Sequence, residues 1–304
     1  MLLLSSTPSI LQSQTLSSGE YFITQSWSQE RDFRRPYYVS VPKSTDQKKL
    51  PVLIFLHGNG GNARGAMNGF LRRHPTMAAI YVLVFPHGYL KSWNIVSERS
   101  KADDRGFIEA IVDKLSSCEN IQASNFTIMG SSNGAALVNQ LAIESQLPNV
   151  RNFVTAVSPL NAFQHDGQNF KAKGNRNEYQ VVVTPMLGKR LMNISGTHDR
   201  LVPYSGGLSP VIPAKRGKLR FVAAEQSTFL WARAMGHNGR KRSRPNHVAG
   251  NVEIFSYLGG DVVHYKIVGQ GHGAARAINE KTLLQFLEGN QHRSSKNTTD
   301  LRDL

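Results

Sequence analysis

The stretch Phe126-Thr-Ile-Met-Gly-Ser-Ser-Asn-Gly-Ala-Ala-Leu137 decides how this 304-residue chain is read. Residues 126–129 are apolar and predict a short strand, and residues 135–143 predict a helix. Between them stands Gly130-Ser131-Ser132-Asn133-Gly134, a G-x-S-x-G turn from strand to helix. Such a turn holds its central serine in a strained backbone conformation with the hydroxyl exposed. The glycines at 130 and 134 let neighbouring backbone pack close, since neither carries a Cβ. The helix start adds unpaired N–H groups beside the serine oxygen. Ser132 is the candidate nucleophile, and Ser131, the x of the motif, is the weaker choice.

The same alternation runs through the flanking sequence. Residues 51–56 and 80–85 are continuous apolar runs, the pattern of strands buried on both faces in a parallel sheet. Further strands are expected over 21–27, 37–41, 153–157, 191–194, 251–257 and 262–268, and helices over 104–115, 226–235 and 278–287. Alternating strands and helices indicate an α/β fold with a mostly parallel central sheet flanked by helices and right-handed connections. No repeat and no Pro-, Gly- or Ser-rich linker divides the strands, so one domain is expected over 19–290. A flexible arm over 1–18 precedes it and a polar tail over 291–304 follows. Two polar stretches read as surface insertions, 164–178 and 239–246, the second carrying Arg240-Lys-Arg-Ser-Arg244.

Hydrophobic residues make up 40% of the chain, enough for a sizeable core, and a charged fraction of 19% argues against disorder in the body. The formal net charge of +15 draws the molecule toward anionic surfaces. No nucleic-acid motif accompanies it, so no nucleic-acid partner is expected, and the basic run reads as a solvated loop. The single cysteine, Cys118, excludes an intrachain disulfide and a Cys-based metal site, and it reads as a core residue at a helix end. No stretch is long enough to span a membrane, and none is expected as a partner. Met1-Leu-Leu-Leu4 lacks the basic start and long apolar run of a secretory signal.

A serine nucleophile needs a base. Val268-Gly-Gln-Gly-His-Gly273 follows the last apolar strand and places His272 between small residues, from which its ring can reach a cleft. His198, His237, His247 and His264 are the alternatives, the last set within a strand. The acid should lie between nucleophile and base. Asn193-Ile-Ser-Gly-Thr-His-Asp199 places Asp199 just after a strand, ahead of Asp166 and Asp261 as candidates. Such an acid holds the imidazole in the right tautomer and stabilises the imidazolium. The order Ser132, Asp199, His272 is that of nucleophile, acid and base in hydrolases with this turn. Two oxyanion donors are expected: the N–H of Asn133, and that of Asn59 in Leu56-His-Gly-Asn-Gly-Gly-Asn62, with Gly60 next in line.

Taken together, the segments resemble the polyhydroxybutyrate-depolymerase and feruloyl-esterase group of α/β-hydrolases, related to the first family of carbohydrate esterases. The matching pieces include Leu56-His-Gly-Asn-Gly-Gly-Asn62, Phe85-Pro-His-Gly88 with Ser92-Trp-Asn94, and Ala102-Asp-Asp-Arg-Gly-Phe-Ile108. They continue with Gly130-Ser-Ser-Asn-Gly-Ala135, Gly196-Thr-His-Asp199 with Val202-Pro-Tyr204, and Gly269-Gln-Gly-His272. The resemblance implies an α/β-hydrolase fold and ester hydrolysis through an acyl-enzyme, with Ser132, Asp199 and His272 as triad and neither metal nor organic cofactor. No large cap domain is expected. The substrates implied are feruloyl or acetyl esters on polysaccharide, polyhydroxyalkanoate or another polyester, so the partner is a small or polymeric ester. Trp93 and Tyr204 would line or support the cleft, core packing being the other reading of both. Members of this group are usually secreted or periplasmic. Two departures stand out: the Trp often found soon after the catalytic His is replaced by Gly273-Ala-Ala-Arg276, and the disulfide of many members is excluded. The first opens the cleft beside His272 and brings Arg276 to its rim, which favours an acidic or polymeric ester. A serine peptidase of the same fold and a non-catalytic basic binding protein are the rival readings.

Overall fold

The computed structural model describes residues 14–43 and 47–289. The antiparallel pair β1 (Gly19–Trp27) and β2 (Glu30–Ser40) comes first, followed by β3 (Leu50–Leu56). Helices α1 (Ala63–Arg73) and α2 (Pro75–Ile80) lead to β4 (Val82–Pro86). Next come α3 (Asp104–Ser116), β5 (Ile121–Ser131), α4 (Asn133–Glu144) and β6 (Val150–Ala156). A short pair, β7 (Phe170–Lys171) with β8 (Val182–Val183), precedes β9 (Arg190–Gly196), and β10 (Gly207–Pro213) forms a hairpin with β11 (Lys218–Phe221). The last elements are α5 (Ala224–Ala234), β12 (His247–Ala249), β13 (Val252–Tyr257), β14 (Val262–Ile267) and α6 (Glu280–Glu288).

Ten strands share one sheet in the order β1-β2-β4-β3-β5-β6-β9-β14-β13-β12. The middle six, β4 to β14, are parallel, and the outer pairs on both edges are antiparallel. Continuous apolar sequence explains the middle. Every residue of β4 and β9 is buried, because helices cover both faces. Within β3, Val52 and Ile54 join the core that includes Ile108, Leu137 and Trp231 from α3, α4 and α5. Leu53 joins the opposite core, with Phe70, Met77 and Phe286 from α1, α2 and α6. All ten residues from Gly134 to Ile143 of α4 are buried.

Helices α1 and α2 lie where the sequence pattern announces no helix. Gly65 and Gly69 dilute the apolar pattern of α1, which starts where Asn62 Oδ1 accepts the Gly65 N–H at 2.8 Å. Ile80 ends α2 rather than opening a strand, and the strand begins at Val82. The stretch 164–178 is not a solvated insertion. Gln164, His165, Lys173 and Asn177 are buried, and each finds a polar partner. Residues 239–244 are exposed, as expected of the basic loop. The N-terminal arm is described only from residue 14, where buried Leu16 donates its N–H to Asn120 Oδ1 at 2.9 Å. The polar tail over 291–304 lies outside the described residues. Among the described residues, no helix is long and apolar enough to cross a membrane.

Candidate active site

Strand order places the site. From β3 the chain crosses to β4 on one side, and from β5 it proceeds to β6, β9 and β14 on the other. The loops leaving β3 and β5 therefore diverge, and in open α/β sheets such a switch point at the carboxyl ends of the strands forms a crevice. The loop after β3 carries His57, Gly58 and Asn59, and the turn after β5 carries Ser132.

Ser132 adopts φ 54° and ψ −121°, a strained left-handed-side conformation for a residue with a Cβ. The glycines around it are required by contact. A Cβ on Gly130 would stand 2.5 Å from the Gly134 carbonyl carbon, and one on Gly134 would stand 2.3 Å from Leu56 O. Gly58 abuts the nucleophile, its would-be Cβ lying 3.5 Å from Ser132 Cβ. The structure thus brings the loop after β3 against the turn after β5.

His272 Nε2 lies 2.8 Å from Ser132 Oγ, and His272 Nδ1 lies 2.7 Å from Asp199 Oδ2. Asp199 Oδ1 accepts the N–H groups of Leu201 at 2.8 Å and Val202 at 3.0 Å, which fixes the carboxylate with its other oxygen toward His272. Its side chain is 2% exposed and that of His272 26%. With Nδ1–H donating to Asp199, Nε2 is left as the acceptor facing the serine hydroxyl. The two loops are stitched together by His198 N–H to Gln270 O at 2.9 Å and Gly269 N–H to Thr197 Oγ1 at 2.9 Å. Gly196 permits this approach, since a Cβ there would meet Gln270 O at 2.2 Å. The alternative histidines and acids are not brought to Ser132: His198 Nδ1 lies 3.0 Å from Thr197 Oγ1 and His247 is exposed on β12. His264 is buried in β14, Asp261 pairs with Arg190, and Asp166 pairs with Lys171.

Asn133 opens α4, so its N–H has no carbonyl within the helix to bond. The Asn59 amide beside Gly58 has no hydrogen-bond partner among the described residues. Gly60 is corrected as an alternative: its N–H is committed to Lys91 O at 2.8 Å. Trp93 does not line the cleft as a substrate-binding residue would; it packs inside, the other of its two readings. It has no exposed surface and presents nothing to a substrate. Its Nε1–H donates to His57 O at 2.7 Å, and its backbone N–H to Asn133 Oδ1 at 2.7 Å, so it braces both donor loops. Tyr204 sits on the acid loop, half-buried, with its hydroxyl donating to Glu225 Oε1 at 2.9 Å and 2.9 Å from His264 Nε2.

Several supporting groups escaped the sequence reading. His57 is buried and pushed below its ordinary pKa by desolvation, hence neutral. Its Nδ1–H donates to Gly58 O at 2.8 Å and its Nε2 accepts the Gly88 N–H at 3.1 Å. Glu98 Oε1 accepts the Asn133 side-chain amide at 3.1 Å, while Oε2 accepts the N–H groups of Ile95 and Val96. Asp104, wholly buried, accepts the Asn94 N–H at 2.6 Å and pairs with buried Arg35 at 2.5 Å. The signals were the His-Gly pair after β3 and the doubled Asp103-Asp104 opening α3. A cavity of about 440 Å³ opens beside His272. Among the described residues, no group of three or more His, Cys, Asp or Glu is placed to hold a metal ion.

This sheet order, with a strained serine turn at its switch point, defines an α/β-hydrolase fold. No protein-family profile matches the chain. In sequence it is similar to feruloyl esterase B of Piromyces equi, 25% identical over 227 residues, covering 72% of this chain and 38% of that protein. The chain thus spans well under half the length of that relative. Among solved structures it is similar to an acetyl xylan esterase from Aspergillus awamori, with a TM-score of 0.57 and 14% identity over 84% of this chain and 94% of that one. A thermostable esterase gives a TM-score of 0.54 at 13% identity, over 90% of this chain and 63% of its own. Likeness at this level of identity establishes the fold.

Proposed function

We propose that the chain is a serine-dependent carboxylic ester hydrolase working through an acyl-enzyme. The observation that carries this reading is the continuous relay from Asp199 through His272 to Ser132, 2.7 and 2.8 Å long. His272 Nε2 takes the hydroxyl proton as Ser132 Oγ attacks the ester carbonyl. The oxyanion that forms is held by the backbone N–H groups of Asn133 and Asn59, each worth about 3 kcal/mol of barrier. His272 then returns the proton to the departing alkoxide, which leaves as the alcohol. Water, deprotonated by the same imidazole, hydrolyses the acyl-enzyme and regenerates Ser132. Asp199 orients the imidazole throughout and stabilises the imidazolium as it forms.

Similarity to feruloyl esterase B and to an acetyl xylan esterase supports feruloyl or acetyl esters of plant polysaccharide as substrates. Polyester and polyhydroxyalkanoate chains are the second substrate class, from the sequence resemblance. A fluorophosphonate probe is expected to label the wild type and not Ser132→Ala. A panel of p-nitrophenyl esters of rising chain length, with methyl ferulate, then ranks the acyl groups. A wild type that is not labelled, or one that cleaves peptides and turns over no ester, overturns the proposal.

A further inference from the structure

The cavity beside His272 lies between the sheet and helices α1 and α6. Its depth is apolar, formed by buried Phe70, Met129, Ile194 and Leu283. Its mouth is charged. Arg73, the last residue of α1, and Arg276, four residues after His272, both line it and both are exposed. Neither guanidinium has a hydrogen-bond or ion-pair partner among the described residues. The carboxylate in the lining is Glu280, whose Oε1 accepts the Met77 N–H at 2.6 Å and thereby caps α2. His74, also in the lining, is kept neutral by burial. Two cations thus face an apolar chamber against one carboxylate that already has a role.

The chamber borders the base and not the oxyanion donors. His272, Gly273 and Ser131 line it, whereas Asn59 and Asn133 do not. In acyl transfer the base delivers its proton to the oxygen of the departing alcohol. The part of the ester beside the imidazole is therefore the alcohol. The small residues after His272 keep the passage open: a Cβ on Gly273 would meet nothing within 4 Å.

We propose that this cavity receives the alcohol portion of the ester and selects alcohols that carry a carboxylate, which Arg73 and Arg276 bind while the apolar walls hold the body. The assignment to the alcohol side rests on the esterase reading; the carboxylate site itself does not. In the step concerned, the ester C–O bond breaks, the acyl group remains on Ser132 Oγ, and the His272 proton passes to the alkoxide.

The kinetic test compares 4-acetoxybenzoate with its neutral methyl ester, the same aryl acetate with and without a negative charge on the alcohol. In Arg73→Gln/Arg276→Gln the ratio of kcat/KM, charged over neutral, is expected to fall by about tenfold or more, the size of a lost charge-assisted contact. The ratio for p-nitrophenyl hemisuccinate over p-nitrophenyl butyrate, with the charge on the acyl side, should stay put. A fall in the acyl ratio with the alcohol ratio unmoved overturns the assignment. The binding test needs no turnover. Titration calorimetry of 4-hydroxybenzoate against Ser132→Ala should show binding that is lost in the same background with both arginines replaced. It should also be lost with Gly273→Trp, which fills the passage at constant charge. Binding indifferent to the arginines, or no binding at all, overturns the site. If the wild type cleaves no ester and the arginine-dependent binding persists, the esterase reading fails and the carboxylate site stands.

Discussion

Gly134→Ala probes the contact on which the whole site depends. The new Cβ would stand 2.3 Å from Leu56 O and 2.5 Å from His57 O, where ordinary contact begins at 3.4 Å. The obstacles are backbone atoms of β3 and its following loop, so no side chain can swing away. Helix α4 and the end of β3 must part by about 1 Å, and a displacement of that size typically costs roughly 100-fold in rate. The displacement falls on the reacting geometry, since α4 begins at Asn133 directly after Ser132 and the β3 loop carries Asn59. Overpacking should also remove about 1–3 kcal/mol of stability. Turnover of p-nitrophenyl acetate and urea denaturation measure the two effects. Gly69→Ala is the matched control, because its Cβ would come no closer than 3.9 Å, to Arg73 Nη2 within α1. It should raise stability by about 0.5–1 kcal/mol through helix propensity. Near-wild-type turnover and an unchanged denaturation midpoint for Gly134→Ala would refute the reasoning.

Asp199→Asn should retain the fold, because the amide oxygen still accepts the Leu201 and Val202 N–H groups, yet lose about 10⁴ in kcat by presenting a donor to His272 Nδ1. Arg35→Met strands the buried Asp104 carboxylate and should cost about 3–5 kcal/mol in denaturant titrations, with Arg35→Met/Asp104→Leu recovering most of it. Burial holds His264 down at about 3, against an ordinary 6.5. Its neutral form therefore contributes stability that is complete above pH 6.5 and is lost toward pH 3. The loss runs at about 1.4 kcal/mol per pH unit within that window. Urea midpoints measured at neutral and mildly acidic pH should fall less steeply in His264→Gln than in the wild type, the difference being that slope, since other histidines lowered by burial, such as His57 and His74, contribute to both.

The sequence exposed the parts of this molecule that obey short-range rules. Unbroken apolar runs announced β3 and the body of β4, because a strand covered on both faces has no polar side to show. Ser132, Asp199 and His272 were picked out because each follows a strand, flanked by the small residues a close approach needs. What escaped was set by distant partners. Lys173 and Asn177 read as solvent-facing polar residues, yet Asn177 Nδ2 donates to Asn94 Oδ1, 83 positions away. Gly60 was a plausible donor until Lys91 O claimed its amide. Trp93 carries an aromatic ring that would suit a cleft wall, and a bond to the His57 carbonyl turned it inward. Helix α1 was hidden by its own glycines, and its stability comes from packing Phe70 against Phe55 and Phe85.

The relay joins residues 140 positions apart, Ser132 to His272, through an acid 73 positions before the base. Parallel strands cannot pair by local hairpins, and each crossover adds loop-closure entropy before its contacts form. A chain in which β3, β5 and β6 have associated already possesses the strained serine and the loop that faces it. It has no base until β14 lies beside β9. Chemical competence therefore requires the β9–β14 pairing in addition to the association of β3, β5 and β6. Regain of turnover after dilution from denaturant should consequently never precede protection of the β9 and β14 amides from hydrogen exchange, and a chain lacking that pairing should carry an inert serine.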